Sequence, residues 1–74
     1  MAVASEIRSE ITGKVWKVEA KPGDQLSEDD PIIILESMKM EIPIAAPTDG
    51  KVVEILVGEE DVVNEGDVVA TFEP

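Results

Sequence analysis

Residues Gly13–Glu36 read GKVWKVEAKPGDQLSEDDPIIILE, and residues Gly50–Glu73 read GKVVEILVGEEDVVNEGDVVATFE. Slid by 37 positions, the stretches align without a gap, and seven of 24 pairs are identical: Gly13/Gly50, Lys14/Lys51, Val15/Val52, Asp24/Asp61, Glu28/Glu65, Asp30/Asp67 and Glu36/Glu73. Val18/Ile55, Leu26/Val63, Ser27/Asn64, Ile32/Val69 and Leu35/Phe72 are conservative pairs. Repeats mark units that bury their apolar sides against one another, and two copies are too few for a solenoid. The pattern predicts a closed domain of two similar halves about an approximate two-fold axis.

The repeat also separates strand from helix. Alone, Lys51–Glu65 places Val52, Ile55, Leu56 and Val63 near helical spacing. Its counterpart contains Pro22-Gly23, and a proline inside a helix costs about 3 kcal/mol. Valine richness and Gly58 point the same way. Each half therefore reads as strand, turn, short strand and final strand: Gly13–Ala20, Asp24–Leu26 and Pro31–Ser37, then Lys51–Val57, Asp61–Val63 and Asp67–Glu73. Val3–Ser9 and Glu41–Ala46 supply two more, making about eight short strands, an all-β flattened sandwich or barrel. Strict alternation sets Trp16, Val18 and Ala20 on one face, like Val53, Ile55 and Val57, with Lys17 and Glu54 opposite. It assigns Trp16 to the core. In the final strand of the first half, Ile33 and Leu35 face inward and Ile34 is less buried.

Composition narrows the chemistry. Seventy-four residues make one domain, 1–74, with a thin core worth roughly 3–5 kcal/mol. The chain has no cysteine and no histidine, which removes disulfides, cysteine or histidine zinc ligands, and Ser–His or Cys–His nucleophilic centres. Seventeen acidic residues against six basic give a net charge of −11, unfavourable for nucleic acid or an anionic membrane surface. The longest aliphatic run, Ile32–Leu35, is far short of a membrane span, and Met-Ala-Val-Ala-Ser-Glu lacks the features of a signal peptide. These features predict a soluble, cytoplasmic, monomeric domain that is not an enzyme. The initiating methionine and compact limits suggest a free-standing chain.

Between the repeats lies Ser37-Met-Lys-Met-Glu-Ile-Pro-Ile-Ala-Ala46. The strand ending at Ser37 must reverse into the one beginning near Glu41, which puts Met38-Lys39 at a hairpin tip. Asn-Gly or Asp-Gly is the favoured tip, yet here two thioethers flank a lysine. On composition alone, an ordinary surface lysine with incidental neighbours is the plainer reading.

Glu36-Ser-Met-Lys-Met-Glu41 closely resembles the attachment motif of biotinyl (biotin carboxyl carrier) domains, whose pattern is Ala/Ser-Met-Lys-Met. The resemblance runs from about Glu6 to Glu73 and takes in Pro22-Gly-Asp24, the Glu36/Lys39 spacing and Ala46-Pro-Thr-Asp-Gly50. It implies a flattened eight-stranded barrel, the barrel-sandwich hybrid, with the modified lysine on the hairpin joining its halves. It further implies covalent biotin on Lys39, added by a biotin–protein ligase that reads Met38 and Met40. The arm would carry carboxylate between biotin carboxylase and carboxyltransferase partners. Glu36 and Glu41 are candidate partner contacts, although Glu73, the counterpart of Glu36, favours a structural role for the latter. Ser37 replaces the more usual alanine, and Glu59-Glu60-Asp61 lacks the glycine of Gly23-Asp24, so the second turn is expected to differ in detail. The chain has no room for the thumb insertion of some carriers and resembles the thumbless type.

Three other readings stand beside this one. Lipoyl domains share the fold, so lipoate on Lys39, alone or as a second modification, is the nearest rival; their usual Asp-Lys-Ala flank differs from Met-Lys-Met in charge and shape. A non-acylated adaptor would keep the repeat but lack the tip motif. Glu28-Asp29-Asp30 and Glu59-Glu60-Asp61 do not match a calcium loop and read as solvated turns.

Overall fold

The computed structural model describes residues 5–74. Eight strands follow in order: β1 (Ser5–Arg8), β2 (Gly13–Val18), β3 (Gln25–Leu26), β4 (Pro31–Ser37), β5 (Met40–Ala45), β6 (Gly50–Ile55), β7 (Val62–Val63) and β8 (Val68–Glu73). The expected strands fall where the sequence put them, shorter by one or two residues at several ends. The Val3–Ala4 part of the first lies outside the described residues. The strands form two antiparallel four-stranded sheets, ordered β1-β8-β6-β3 and β5-β4-β2-β7. The sheets face each other as a flattened barrel whose ladder is not continuous between them among the described residues.

Advancing every strand of one sheet by the 37-residue repeat generates the order of the other, β5 matching β1, β4 matching β8, β2 matching β6 and β7 matching β3. The two-fold relation extends to single hydrogen bonds. Ala46 N–H donates to Asp30 O at 2.8 Å, and its counterpart Ser9 N–H donates to Asp67 O at 2.9 Å. Four turns explain the repeated aspartates. The carboxylates of Asp24, Asp30, Asp61 and Asp67 accept the N–H groups of Lys21, Ser27, Gly58 and Asn64, each three residues earlier, at 2.8–3.0 Å. A carboxylate that accepts a main-chain N–H three residues back closes a turn without a partner strand.

The core also comes in pairs. Val15 with Val52, Ile32 with Val69, Ile33 with Ala70, and Leu35 with Phe72 are all fully buried. As expected, Ile34 is only half-buried. Gly50 is needed because a Cβ there would lie 2.5 Å from Glu73 O and 2.7 Å from a Phe72 ring carbon.

Two expectations are corrected. Trp16 is not in the core: it is 48% exposed, and Val53 is 44% exposed. Pairing steps from Val15↔Leu35 to Lys17↔Ile34, and from Val52↔Phe72 to Glu54↔Thr71. Trp16 and Val53 are therefore the extra residues of two equivalent β-bulges. A bulge breaks period-two alternation, so Trp16 shares the outward face with Lys17 instead of opposing it. The second turn, expected to differ, keeps the geometry of the first. Glu60 adopts φ 75° where Gly23 has 94°.

Candidate functional site at the β4–β5 hairpin

β4 is one of the two inner strands of its sheet, and Ile32, Ile33 and Leu35 hold it against the core. It pairs with β5 through Leu35↔Ile42, Glu36↔Glu41 and Ser37↔Met40. Only Met38 and Lys39 remain for the loop, and both adopt left-handed backbone, φ 52° and 64°. A two-residue loop with both central residues at positive φ is a type I′ turn, whose twist suits a hairpin but whose usual residues are Asn and Gly. Left-handed backbone costs an ordinary residue roughly 1–2 kcal/mol. The hairpin tolerates that cost at two adjacent positions.

The base of the hairpin is fixed from the side. Ser37 Oγ donates to Thr12 O at 3.2 Å. A Cβ on Gly13 would sit 2.9 Å from Glu36 O, so glycine lets β2 close against the strand leading to the tip. Beyond this anchor the turn is open. Met38 is 92% exposed, Met40 63% exposed, and Lys39, Glu36 and Glu41 are exposed as well. All five residues singled out in the sequence thus meet on one hairpin, with Glu36 and Glu41 directly opposed.

The tip and the described ends, Ser5 and Pro74, lie at opposite ends of the domain. From Gly13 the chain runs away from the tip, until Gly23 N–H donates to Val52 O at 2.8 Å and Leu26 lies opposite Gly50. Beside Gly50 runs the end of β8, and Phe72 pairs with Ser5 at the start of β1. By the two-fold relation, the ends stand where the other half has its hairpin.

A cavity of about 360 Å³ opens between the edge strands β1 and β5, where Ile7, Ile11, Ile42 and Ile44 line it together with charged Glu6, Arg8 and Glu10. It includes none of the five tip residues and brings no reactive group to them. Sequence reasoning missed the surface beside the tip, where Trp16 and Val62 (71% exposed) stand in solvent. The signal was present in the repeat, because their counterparts are the smaller Val53 and the polar Gln25.

The fold and hairpin have relatives. A family model described as Biotin-requiring enzyme, the biotin/lipoyl family, matches residues 2–72. The biotin/lipoyl attachment protein of Bacillus subtilis is 52% identical over 60 residues, covering 81% of this chain and 82% of that protein. A biotinylated protein TB7.3 homolog of Mycobacterium leprae is 41% identical over 70 residues, covering 95% and 99%. The urea carboxylase structure from Kluyveromyces lactis superposes with a TM-score of 0.89 at 41% identity. That match covers 95% of this chain but 6% of the carboxylase. Repeat, sheet order and hairpin agree with these matches: the chain belongs to the biotin/lipoyl attachment family, as a carrier domain and not as a catalyst.

Proposed function

We propose that the chain is a biotin carboxyl carrier in which Lys39 is the attachment point. The observation that carries this reading is the turn itself, where an exposed lysine between two exposed methionines is held out by strained backbone on a well-anchored hairpin. Strained backbone kept at an exposed tip points to a use other than folding. The Lys39 amine attacks the acyl carbon of biotinyl-AMP supplied by a biotin–protein ligase. The C–N amide bond forms, the acyl–phosphate bond breaks and AMP leaves; the nitrogen loses two protons, one before attack and one as the amide forms, to the ligase, the departing AMP or solvent. Proton removal is assigned to the ligase, which brings the base together with biotinyl-AMP. The product is one charge more negative than the −11 of the unmodified chain.

Once attached, biotin supplies the carboxyl-carrying chemistry, while the domain supplies anchorage, reach and orientation. A biotin carboxylase and a carboxyltransferase are the partners this requires. Placement of Ser5 and Pro74 away from the tip suits such a carrier, because it leaves Lys39 clear. The neutral thioethers beside Lys39 favour biotin over lipoate.

Co-expression with a biotin–protein ligase, followed by intact mass and an avidin blot, tests the reading. One biotinyl group is expected on the wild type and none on Lys39→Ala. An unmodified wild type, a lipoyl mass instead, or modification that persists in Lys39→Ala would overturn it.

A further inference from the structure

Apart from Glu41, whose counterpart falls outside the described residues, the outward positions of the β5-β4-β2-β7 sheet have counterparts 37 positions away on the other sheet, so the molecule contains its own control. Nearest the tip, Glu41, Glu36, Lys14 and Val62 form a row of successive cross-strand partners. Behind them come Pro43, Ile34 and the bulged Trp16. On the other sheet, Glu6, Thr71, Val53 and Gln25 stand in place of Pro43, Ile34, Trp16 and Val62. The same backbone folds with polar or smaller residues at these sites, so folding alone does not call for the large apolar ones.

Apolar side chains grouped on a surface and rimmed by charge mark an interaction site, and tryptophan is prominent among residues that dominate binding. Trp16, Val62, Met38 and Met40 are 48%, 71%, 92% and 63% exposed. Trp16, Lys14, Glu36 and Glu60 also line a shallow depression of about 80 Å³. Glu36 and Glu41 face each other as like charges, an unfavourable cross-strand pair. Among the described residues, the ion pairs are Arg8–Glu6 and Lys17–Glu19; Lys14 is the other cross-strand neighbour of Glu36, and Glu41 is the glutamate more open to an outside cation.

We infer that this outer face, centred on Trp16 and Val62 and reaching Glu36 and Glu41, is the docking surface for the ligase that acylates Lys39. The ligase would bring a complementary apolar patch and a basic group over the two glutamates. The inference rests on the reading of Lys39 given above. An unmodified lysine has only its four-carbon stem, so the enzyme that acylates it must close on the hairpin and the sheet beside it. Later partners meet the longer biotinyl arm and need less of this surface. A second copy is disfavoured, because two chains of net charge −11 repel each other.

The test is the steady-state rate of biotinylation of the whole chain by purified biotin–protein ligase with ATP and biotin. Trp16→Val, Ile34→Thr and Val62→Gln together give each site the residue found on the other sheet. KM is expected to rise about tenfold with kcat little changed, as when binding common to ground and transition states is removed. Val62→Gln alone, at a side chain already in solvent, should raise KM about threefold and serves if the triple variant folds poorly. Val53→Thr on the far sheet should leave KM as in the wild type. Glu36→Gln with Glu41→Gln should raise KM and flatten its salt dependence.

Wild-type KM in both Val62→Gln and a folded triple variant overturns the docking surface, as does an equal loss in Val53→Thr. Sedimentation showing a wild-type dimer dispersed by Val62→Gln would overturn it by assigning the face to a second copy. If the wild type is modified at Lys39 while the variants keep its KM, only the docking surface fails. If the wild type is not modified at all, the Lys39 reading fails first.

Discussion

Replacing Met38 by asparagine should make the domain more stable and a poorer substrate. Met38 sits at φ 52° with 92% of its surface exposed, so its side chain contributes little packing that could be lost. The backbone cost of a left-handed methionine is roughly 1–2 kcal/mol. Asparagine adopts this conformation more readily by bonding to nearby backbone, and it is a preferred residue at the first central position of a type I′ turn. Relief of about 1 kcal/mol is therefore expected. In a domain of this size that raises Tm by about 4–8 °C. It should also move the urea midpoint upward without changing m, since the surface exposed on unfolding is the same. In parallel, ligase-catalysed biotinylation of Lys39 should slow, because a flanking thioether has gone. Thermal melts monitored by circular dichroism and timed intact-mass measurements report the two quantities separately. A Tm at or below wild type would refute the claim that strain is stored at the tip. A gain in stability with wild-type biotinylation would show that the methionine is not kept for recognition.

Gly50→Ala should destabilise by about 1–3 kcal/mol, because its Cβ meets Glu73 O and the Phe72 ring at 2.5 and 2.7 Å, and backbone or core must shift. A lowered urea midpoint measures this, and an unchanged one would refute the close approach of β6 to the end of β8. Phe72→Ala removes a fully buried aromatic at a cost of about 3–5 kcal/mol, as much as the whole domain is expected to have, so its amide spectrum at 25 °C should be that of an unfolded chain. Trp16→Ala, at the half-exposed bulge, should cost only about 1 kcal/mol and remain folded. Comparable losses in the two would return Trp16 to the core.

The repeat made the fold legible because its matched residues have structural work to do twice. Asp24 and Asp61, and Asp30 and Asp67, close equivalent turns. Gly13 and Gly50 each admit a close neighbouring strand. The bulges were not legible. Alternation assumes one residue per step, and an extra residue in β2 or β6 shifts the phase without any local mark, since tryptophan and valine are ordinary in a buried strand. The five tip residues were found from composition and family pattern, but the conformation of Met38-Lys39 was not. Sequence preferences for positive φ point to asparagine and glycine, and here the lysine and its thioether neighbour override them.

Quasi-symmetry also clarifies where a difference between the halves carries meaning. Asp29 and Glu60 hold left-handed turn positions whose counterparts are Gly66 and Gly23, so each half accepts one strained turn and one relaxed turn. That exchange changes no bond type: in all four turns an aspartate carboxylate accepts the N–H three residues back. Differences of this kind leave the shared scaffold unchanged. The outer faces differ in another way, because Trp16, Ile34, Pro43 and Val62 all depart from their counterparts toward larger or more apolar side chains, and all lie on the sheet that carries Lys39. One change of the opposite sense lies just past β6, where exposed Leu56 stands in place of Glu19, whereas these four lie together on the sheet with Lys39. Their grouping beside the tip is what ties the surface to the chemistry of the lysine rather than to the stability of the fold.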